Sequence, residues 1–351
     1  MKKLNSTEIA KLAGVSRSTV SRVINGYSNV PEDTRERVMK VINENEYYPL
    51  LSGQLLAGKK TGTLGFFWVS SGEIANDLLC SAYFAHVTEC AAAQGYLVLT
   101  CIVKNLTDPE NVDWIKRVFM QERIDAGIFI GVKNTEPLID ELILKNKTVG
   151  IFDHFHADKD EPNRISVNYE TSTGKKAIDY LYSLGHRKIA VIDGDMNRYS
   201  MLKRHEGFLE GMQEKGLEIR SEWMHYADIF DREDDGYEVA KKFIMNCGEL
   251  PTAICSGNDS IAFGVYKALE EAGISIPNQV SVIGIDGHAG GELVSPSLTT
   301  FAFDYKEFFY SLVKRTIDAI EQTPDNPINE FITGKLVERE SCKNLNFEAK
   351  K

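Results

Sequence analysis

From Thr61 onward, short apolar runs alternate with longer segments in which apolar residues recur at helical spacing. The runs include TLGFFWV, YLVLTCIV and IDAGIFIG, and the segments between them include AYFAHVTECAAAQG and PENVDWIKRVFMQE. The pattern restarts at STGKKAIDYLYSLG and continues as far as VSVIGID. Continuous apolar strands separated by amphipathic helices indicate parallel sheets that are covered on both faces. Two successive sets therefore predict an α/β body of two lobes, each a doubly wound parallel sheet.

Residues 1–48 instead predict a small all-α head that begins with two helices around a tight turn. Asn5 and Glu8 form a capping-box pattern, Gly14 permits a sharp turn, and Ser16 can cap the second helix. The apolar positions expected to face the core of the head are Ile9, Ala10, Leu12, Ala13, Val15, Val20, Val23, Ile24, Val38, Val41 and Ile42.

The opposite face of the second helix carries Arg17, Ser18, Ser21, Arg22 and Asn25. Arginine can donate two hydrogen bonds to guanine, and hydroxyl groups can bond to phosphates or to base edges. A polar face of this kind suits a DNA major groove. A solvated polar face on a small helical hairpin is the simpler alternative.

A third helix is predicted between Pro31 and Pro49, and the segment PLLSGQLLAGKK follows it. Two leucine pairs are unusual in a linker, because a free linker is normally polar. Leucine side chains can wedge open a DNA minor groove, which would give these residues a partner. The alternative is a helix that packs on the body.

Charge differs sharply between the two parts of the chain. The formal net charge is −11, yet residues 1–60 carry +4 and the remainder carries −15. A basic head on an acidic body indicates that only the head meets a polyanion. No apolar run approaches the roughly 18 residues of a membrane span, and MKKLNSTEIA lacks the apolar core of a signal peptide. The six cysteines are scattered without a CxxC pair, which predicts reduced thiols in a cytoplasmic protein.

An α/β enzyme is the natural alternative for such a body. The sequence has no GxGxxG after a strand, no GxxxxGK followed by Ser or Thr, and no HExxH or GxSxG. His154 and His156 flank Phe155, but neighbouring strand residues alternate faces and no third ligand is evident, which argues against a metal site. The sequence therefore predicts neither a catalytic centre nor a metal or cofactor.

Polar residues follow several predicted strands. Asp153 ends TVGIFD, Asp286 ends VSVIGID, Asn258 follows AICSG, and Arg204 lies early in a helix after VIDGD. In open α/β sheets, ligands bind beyond the carboxyl ends of the strands. Carboxylates, an amide and a guanidinium suit a polyhydroxylated ligand, and Phe230 and Tyr305 could supply apolar faces for a sugar ring. Each of these residues could instead be a surface polar residue or a helix N-cap.

The segment from STEIAKLAGVSRSTVSRVING to TGTLGF resembles the head and hinge of the lactose/galactose-repressor family of transcription regulators. This resemblance implies that DNA is contacted by Arg17, Ser18 and Arg22 at bases, by Ser16, Thr19, Ser21 and Asn25 mainly at phosphates, and by Thr7. It also implies that SGQLLAG folds as a hinge helix on DNA, with Leu56 wedged into the minor groove.

The body resembles the effector domain of the same family, whose fold is shared with periplasmic sugar-binding proteins. The segments that carry this resemblance are SVNYETSTGKKAIDYLYSLGHRKIAVIDG, RHEGF, AICSGNDSIAFGVYKALEEAGISIPNQVSVIGIDG and SPSLTTF. The resemblance implies two lobes with three chain crossings between them. It implies effector contacts from Asp153, Arg204, Asn258 and Asp286, with Tyr305 and Phe230 as aromatic contacts.

Taken together, these features predict a cytoplasmic repressor of carbohydrate-utilisation genes. It would bind a pseudo-palindromic operator as a homodimer and leave it when a sugar or sugar phosphate binds. The expected domains are 1–48 for the head, 49–60 for the hinge, 61–345 for the effector domain and 346–351 for the tail. The first lobe is expected at about 61–165 plus 301–323, and the second at about 166–298 plus 327–345. The alternatives are a transport-type sugar-binding protein and a regulator controlled by a protein or a non-sugar corepressor.

Overall fold

A computed structural model describes residues 4–49, 60–70, 78–155, 161–227, 233–321 and 329–346. The chain divides into two compact units, Met1–Gly62 and Thr63–Lys351. The predicted hinge helix with Leu56, and the aromatic residue Phe230, lie outside the described residues. Within the described ranges, no helix combines the length and the apolar character needed to cross a membrane.

The smaller unit contains three helices, α1 (Ser6–Ala13), α2 (Arg17–Ile24) and α3 (Glu32–Glu44). Asn5 caps α1, because its side chain accepts hydrogen bonds from the N–H groups of Thr7 and Glu8. The Glu8 carboxylate in turn accepts from the Asn5 N–H, so the predicted capping box is confirmed. Gly14 follows in the left-handed conformation with φ 65°, which glycine adopts without strain.

One apolar cluster holds the three helices of the smaller unit together. Its buried members are Ile9, Ala10, Ala13, Val20, Val23, Val30, Val38 and Ile42. Leu12, predicted for the same stripe, is instead 58% exposed. Successive helix residues are rotated by about 100°, which places Leu12 roughly 100° from the centre of the stripe formed by Ile9, Ala10 and Ala13. The prediction was therefore wrong for Leu12 and right for the other three positions.

The larger unit alternates strands and helices along the chain. Its strands are β1 (Thr63–Val69), β2 (Leu97–Val103), β3 (Ala126–Ile130), β4 (Thr148–Phe152), β5 (Arg164–Tyr169), β6 (Ile189–Asp193), β7 (Met224–Tyr226), β8 (Ala253–Ser256), β9 (Ser281–Asp286), β10 (Thr299–Ala302), β11 (Asn329–Ile332) and β12 (Lys335–Val337). Its helices are α4 (Leu78–Ala93), α5 (Pro109–Met120), α6 (Pro137–Leu144), α7 (Thr173–Ser183), α8 (Tyr199–Glu214), α9 (Glu233–Asn246), α10 (Asp259–Glu271) and α11 (Tyr305–Glu321).

The described strands form two six-stranded sheets, which define the first and second lobes. The order in the first lobe is β11-β5-β4-β3-β1-β2, and all its pairings are parallel. The order in the second lobe is β12-β10-β9-β8-β6-β7, and within it β12 alone is antiparallel to its neighbour. The predicted fold class, a two-lobed doubly wound α/β domain after an all-α head, is confirmed.

Both faces of the first sheet are buried, which explains the apolar runs in the sequence. Along β1, Leu64 and Phe66 pack into a cluster that includes Val87 of α4. Phe67 packs into a second cluster on the other face, together with Ile115 of α5. Neighbouring strand residues point to opposite faces, so a strand covered on both sides is apolar at nearly every position.

The chain passes between the two sheets three times, after β5, after β10 and after β11. These crossings correct the lobe boundaries expected from the sequence. Residues 166–169 belong to the first lobe within β5, residues 301–302 belong to the second lobe within β10, and β11 returns to the first lobe by pairing with β5. A short apolar strand suits either sheet, and only its long-range pairing decides which one it joins.

Two helices of the second lobe approach each other closely at Gly264 of α10. A Cβ atom there would overlap the carbonyl oxygen of Glu233 and the amide nitrogen of Tyr237 in α9. Gly264→Ala is therefore expected to lower the free energy of unfolding by about 2–3 kcal/mol, because side-chain rotation cannot relieve a clash with backbone. Urea unfolding measures this change.

Gly248→Ala is the matched control, because nothing lies within 4 Å of the added Cβ. Its unfolding free energy should stay within about 0.5 kcal/mol of the wild-type value. Equal stability of the two variants would contradict the close approach of α9 and α10.

Candidate DNA-binding face and effector cleft

The second helix of the head begins at a cluster of hydroxyl groups. Ser16 caps α2, and its Oγ accepts a hydrogen bond from the Thr19 N–H at 3.1 Å. The same Oγ lies 2.7 Å from Ser18 Oγ and 2.9 Å from Thr19 Oγ1. The predicted cap is confirmed, and three of the residues expected to contact DNA lie side by side. Their hydroxyl groups lie at the N-terminus of α2, where the N–H groups of the first helical turn favour binding of a phosphate.

One face of α2 carries the residues predicted to contact DNA. Arg17, Ser18, Ser21 and Arg22 are exposed, and Asn25 is half-buried. These five positions span roughly 140° of the helix surface, while Val20 and Val23 are buried on the other side. Asn25 Nδ2 donates to Ser21 Oγ at 3.3 Å, and Thr7 is exposed in the first turn of α1. A polar face with a packed back is the arrangement by which helix-turn-helix proteins enter a major groove.

In the larger unit, Asp153 follows β4 and reaches the second lobe. It is buried, with φ 61°, and its carboxylate accepts from the N–H and the hydroxyl of Ser200, both at 2.7 Å. Ser200 belongs to α8 of the second lobe, so this pair joins the two lobes. We call the region where the lobes meet around Asp153, Arg204 and Asp286 the cleft. Burial raises the pKa of Asp153, and the hydrogen bonds from Ser200 and the charges of Arg198 and Arg204 act in the opposite direction.

Arg204 and Asp286 form a buried ion pair in the second lobe. Arg204 Nη2 lies 2.6 Å from Asp286 Oδ1, and Nη1 donates to the Gly257 carbonyl oxygen at 2.8 Å. The guanidinium carbon lies 4.6 Å from the ring centre of Tyr169, which belongs to β5 of the first lobe. Arg204 is 3% exposed, and its Nε has no hydrogen-bond partner among the described residues. A buried donor left unpaired is a group that a bound ligand can satisfy.

Tyrosine rings surround the same ion pair. The hydroxyl oxygens of Tyr305 and Tyr169 lie 3.3 Å apart, and the ring centres of Tyr83 and Tyr305 lie 4.8 Å apart. All three side chains are buried. Burial raises the pKa of Tyr305 well above its ordinary value, and the nearby charge of Asp286 adds to that effect. Tyr305, predicted to stack on a ligand, is thus packed in an aromatic group beside Arg204 and Asp286.

Asn258 occupies the N-cap of α10, the alternative that its position at a strand end had left open. Its Oδ1 accepts from the Ile261 N–H at 2.7 Å. Asn258 directly follows Gly257 in the sequence, and the carbonyl oxygen of Gly257 accepts a hydrogen bond from Arg204. Asn258 is therefore beside the cleft while it also starts a helix.

Asp259, which sequence reasoning missed, holds the turn that carries Asp286. Its buried carboxylate accepts from the Thr300 hydroxyl and from the His288 N–H, both at 2.7 Å. Thr300 Oγ1 also accepts from the Gly287 N–H at 3.3 Å. Asp286 has φ 124°, a conformation that residues with a side chain rarely adopt. The hydrogen bonds of Asp259 and Thr300 keep the backbone in this strained arrangement.

Tyr83, Tyr169, Ser200 and Asp259 are the cleft residues that sequence reasoning missed. Tyr169 ends β5 and Asp259 directly follows Asn258, so the same attention to strand ends could have selected both. Ser200 and Tyr83 lie on helices, where no comparable positional signal exists. A backbone contact across the lobes, from the Asn134 N–H to the Asn197 carbonyl at 3.0 Å, was equally unforeseen.

The carboxyl group of Asp259 gives a pH dependence that can be measured. Burial, and next the charge of Asp286, raise its pKa from 3.8 to about 7 in the folded protein. Between these values the folded state keeps a proton that the unfolded state has lost, so stability falls as pH rises. At each pH, the unfolding free energy of Asp259→Asn is subtracted from that of the wild type. This difference should therefore fall by about 1–4 kcal/mol between pH 4 and pH 7.

Urea unfolding of both proteins from pH 4 to pH 8 measures this difference. Loss of the hydrogen bonds in Asp259→Asn adds an offset that does not vary with pH, and titrating groups that do not interact with Asp259 cancel. A difference that stays constant across this range would show that Asp259 is ionised throughout.

Histidines and cysteines were also candidates for chemistry. Within the described ranges, no group of three or more His, Cys, Asp or Glu side chains is arranged to hold a metal ion. His154 is buried and its backbone N–H donates to Asn168 Oδ1 at 2.7 Å, while His156 lies outside the described residues. All six cysteines lie within the described residues, and none of them forms a disulfide bond.

Sequence comparison assigns both units to known families. Residues 7–49 match the family described as bacterial regulatory proteins, lacI family, and residues 178–342 match the periplasmic binding protein-like domain. The chain is 30% identical over 345 residues to the HTH-type transcriptional repressor PurR of Actinobacillus pleuropneumoniae serotype 3 (strain JL03), covering 97% of this chain and 98% of that protein. The repressor of the same name from Yersinia enterocolitica serotype O:8 / biotype 1B is 30% identical over 339 residues, covering 95% of each chain.

Solved structures show the same fold. The lac repressor dimer bound to operator and the anti-inducer ONPF matches with a TM-score of 0.78 and 23% identity, covering 97% of this chain and 100% of that chain. The complex of the transcriptional regulator CelR with cellobiose matches with a TM-score of 0.73 and 21% identity, covering 96% and 99%. The solved structures show the fold alone. The relatives at 30% identity over nearly the whole chain, with the match of residues 7–49, show that the chain belongs to the lacI family of bacterial regulatory proteins and is a DNA-binding transcriptional repressor rather than an enzyme.

Proposed function

We propose that this repressor binds a pseudo-palindromic operator as a homodimer and is released when a sugar-like effector binds between its lobes. The observation that carries the effector proposal is the buried Arg204–Asp286 pair, packed against Tyr169 of the other lobe with Arg204 Nε unpaired. Carboxylate and guanidinium groups beside aromatic faces suit a ring with several hydroxyl groups. The proposed effector contacts are Asp153, Arg204, Asn258, Asp286, Tyr305 and Phe230.

The bond from Ser200 to Asp153 supports a coupling between effector and operator. It joins the lobes through Asp153, one of the proposed effector contacts, so a ligand that engages Asp153 or Ser200 would change how firmly the lobes are held together. A ligand shifts a conformational equilibrium only by its different affinity for the two states. Effector and operator must weaken each other by the same factor, because linkage is reciprocal.

On the DNA side, we propose that α2 lies in the major groove. Base contacts are assigned to Arg17, Ser18 and Arg22, further DNA contacts to Thr7, Ser16, Thr19, Ser21 and Asn25, and a minor-groove wedge to Leu56. The exposure of Arg17, Ser18, Ser21 and Arg22 on α2, and of Thr7 on α1, supports the assignment of those residues. A repressor of this kind acts where the operator lies, in the cytoplasm.

A purine-type effector is the second candidate, because the relatives at 30% identity are named PurR. Thermal unfolding against a panel of sugars, sugar phosphates, purine bases and nucleosides tests both. A ligand at a hundred times its Kd should add about 2.7 kcal/mol of stability. A shift with a sugar supports the proposal, a shift with a purine base replaces it by the second candidate, and a flat panel contradicts both.

The edge of the first sheet supports the proposed homodimer. β2 is the last strand in the order of that sheet, and it exposes Leu97 (73%), Leu99 and Ile102 (61%). An exposed apolar edge strand promotes unwanted pairing unless a partner covers it. A second copy of the chain on β2 would cover these side chains and supply the two heads that a two-fold operator needs.

Ile102→Glu is expected to shift the protein from dimer to monomer, because dimer formation would bury two unpaired carboxylates. Sedimentation velocity should show the dimer Kd rising by at least about tenfold. Leu144→Glu is the control, since Leu144 is 80% exposed and belongs to the end of α6, not to the edge strand β2. A dimer unaffected by Ile102→Glu would place the interface elsewhere.

A further inference from the structure

Arg17 is held by a residue of the preceding helix. Its Nε donates to Ser6 Oγ at 3.0 Å, although Ser6 precedes it by 11 residues and belongs to α1. Each residue is the first of its helix, and each helix starts at a side-chain cap, Asn5 for α1 and Ser16 for α2. Both side chains therefore extend from backbone that a cap has fixed, and the hydrogen bond joins two defined points.

The hydrogen bond from Nε to Ser6 leaves the terminal N–H groups of Arg17 available to bind DNA. The structure gives Arg17 no other hydrogen bond or ion pair within the ranges it describes, so the terminal N–H groups of the guanidinium are unengaged. Within the same described ranges, Arg22, the second arginine of the α2 face, makes no comparable side-chain hydrogen bond. A guanidinium is planar and rigid, so fixing its Nε also fixes the direction of the terminal pair that donates to guanine O6 and N7.

We propose that Ser6 is a positioning residue for base recognition: it holds Nε and thereby aims the terminal N–H pair of Arg17 into the groove before DNA arrives. The inference rests on the proposed function, in which Arg17 reads a base. A long arginine side chain loses rotamer freedom when it binds, and a side chain that is already oriented loses less of it. Ser6 therefore acts on discrimination between bases, not on the general attraction to phosphates.

The test uses full-length protein and a randomised double-stranded DNA library, followed by selection and sequencing. Arg17→Ala identifies the base pair that Arg17 reads in each half-site. Ser6→Ala is expected to reduce discrimination at that same base pair by roughly threefold to tenfold, the range of one hydrogen bond. Arg22→Ala identifies the base pairs whose preference depends on Arg22. At those base pairs Ser6→Ala should keep the wild-type preference, and its affinity for non-specific DNA should also equal that of the wild type.

Two further variants separate positioning from other effects. Ser6→Thr keeps the hydroxyl and should retain wild-type preference, and Ser28→Ala removes an exposed serine elsewhere in the head and should change nothing. Wild-type preference in Ser6→Ala overturns the inference. A loss at a different base pair also overturns it, because Ser6 would then contact DNA itself. An unchanged preference in Arg17→Ala instead refutes base reading by Arg17, which is the failure of the proposed function.

Discussion

Arg22→Ala protein is expected to bind its operator at least about thirtyfold more weakly than the wild type. Each well-formed arginine–guanine contact contributes about 1–3 kcal/mol of discrimination, and a dimer loses one in each half-site. Arg22 is exposed, so its removal leaves no buried group without a partner and should not destabilise the head. Fluorescence anisotropy with a duplex selected by the wild-type protein measures the change.

Arg37→Ala provides the matched control for this experiment. Arg37 is an exposed arginine of α3, outside the α2 face, so its removal takes away the same charge. It should weaken binding slightly and equally for all sequences, because distant charge contributes only general attraction. If Arg22→Ala bound the selected duplex as tightly as the wild type, α2 would not be the helix that reads the operator.

Asp286→Ala is expected to abolish the effector response and to lower the free energy of unfolding by about 3–5 kcal/mol. Arg204 would keep its charge in a buried site where, among the described residues, its remaining direct contacts are the Gly257 carbonyl and the Tyr169 ring. Removing one partner of a buried ion pair is costly. Urea unfolding measures the stability. Thermal shift with the panel compound that stabilises the wild type measures the response.

The double variant Arg204→Met with Asp286→Ala separates the two effects. It removes both charges, so it should recover much of the lost stability while the effector response stays absent. Operator binding without effector should persist in both variants, because the substitutions lie outside the head. A fully responsive Asp286→Ala protein would remove Asp286 from the effector site.

Local signals in the sequence predicted the head well. The capping box of Asn5 and Glu8 and the turn at Gly14 depend on residues within one helical turn, and the structure shows both. Leu12 is the exception, because a cluster of apolar letters does not reveal which side of a helix each one occupies. The contact between Ser6 and Arg17 depends on how α1 packs on α2, so it could not be predicted from the identity of either residue.

The body shows the same division between local and long-range information. Apolar runs predicted strands with both faces buried, and polar strand ends selected Asp153 and Asp286, which the structure places directly after β4 and at the end of β9. These local signals could not predict which sheet each strand joins, since β5 and β11 pair across more than 150 residues of chain. Ser200 and Tyr83 were missed because a polar or aromatic residue on a helix is ordinary until the opposing lobe is in place.

The three crossings between the sheets also set the order in which the protein can be completed during synthesis. The apolar cluster of the head ends with Ile42 and the partly buried Tyr47, so the head emerges from the ribosome early in synthesis. The first lobe takes its edge strand β11 and the helix α11, which packs on β4 and β5, from residues beyond 304. Strands β6 to β10 of the second lobe emerge before them. The first lobe therefore keeps one sheet edge unpaired, and the face that α11 shares with α4 only partly covered, until α11 and β11 have been translated.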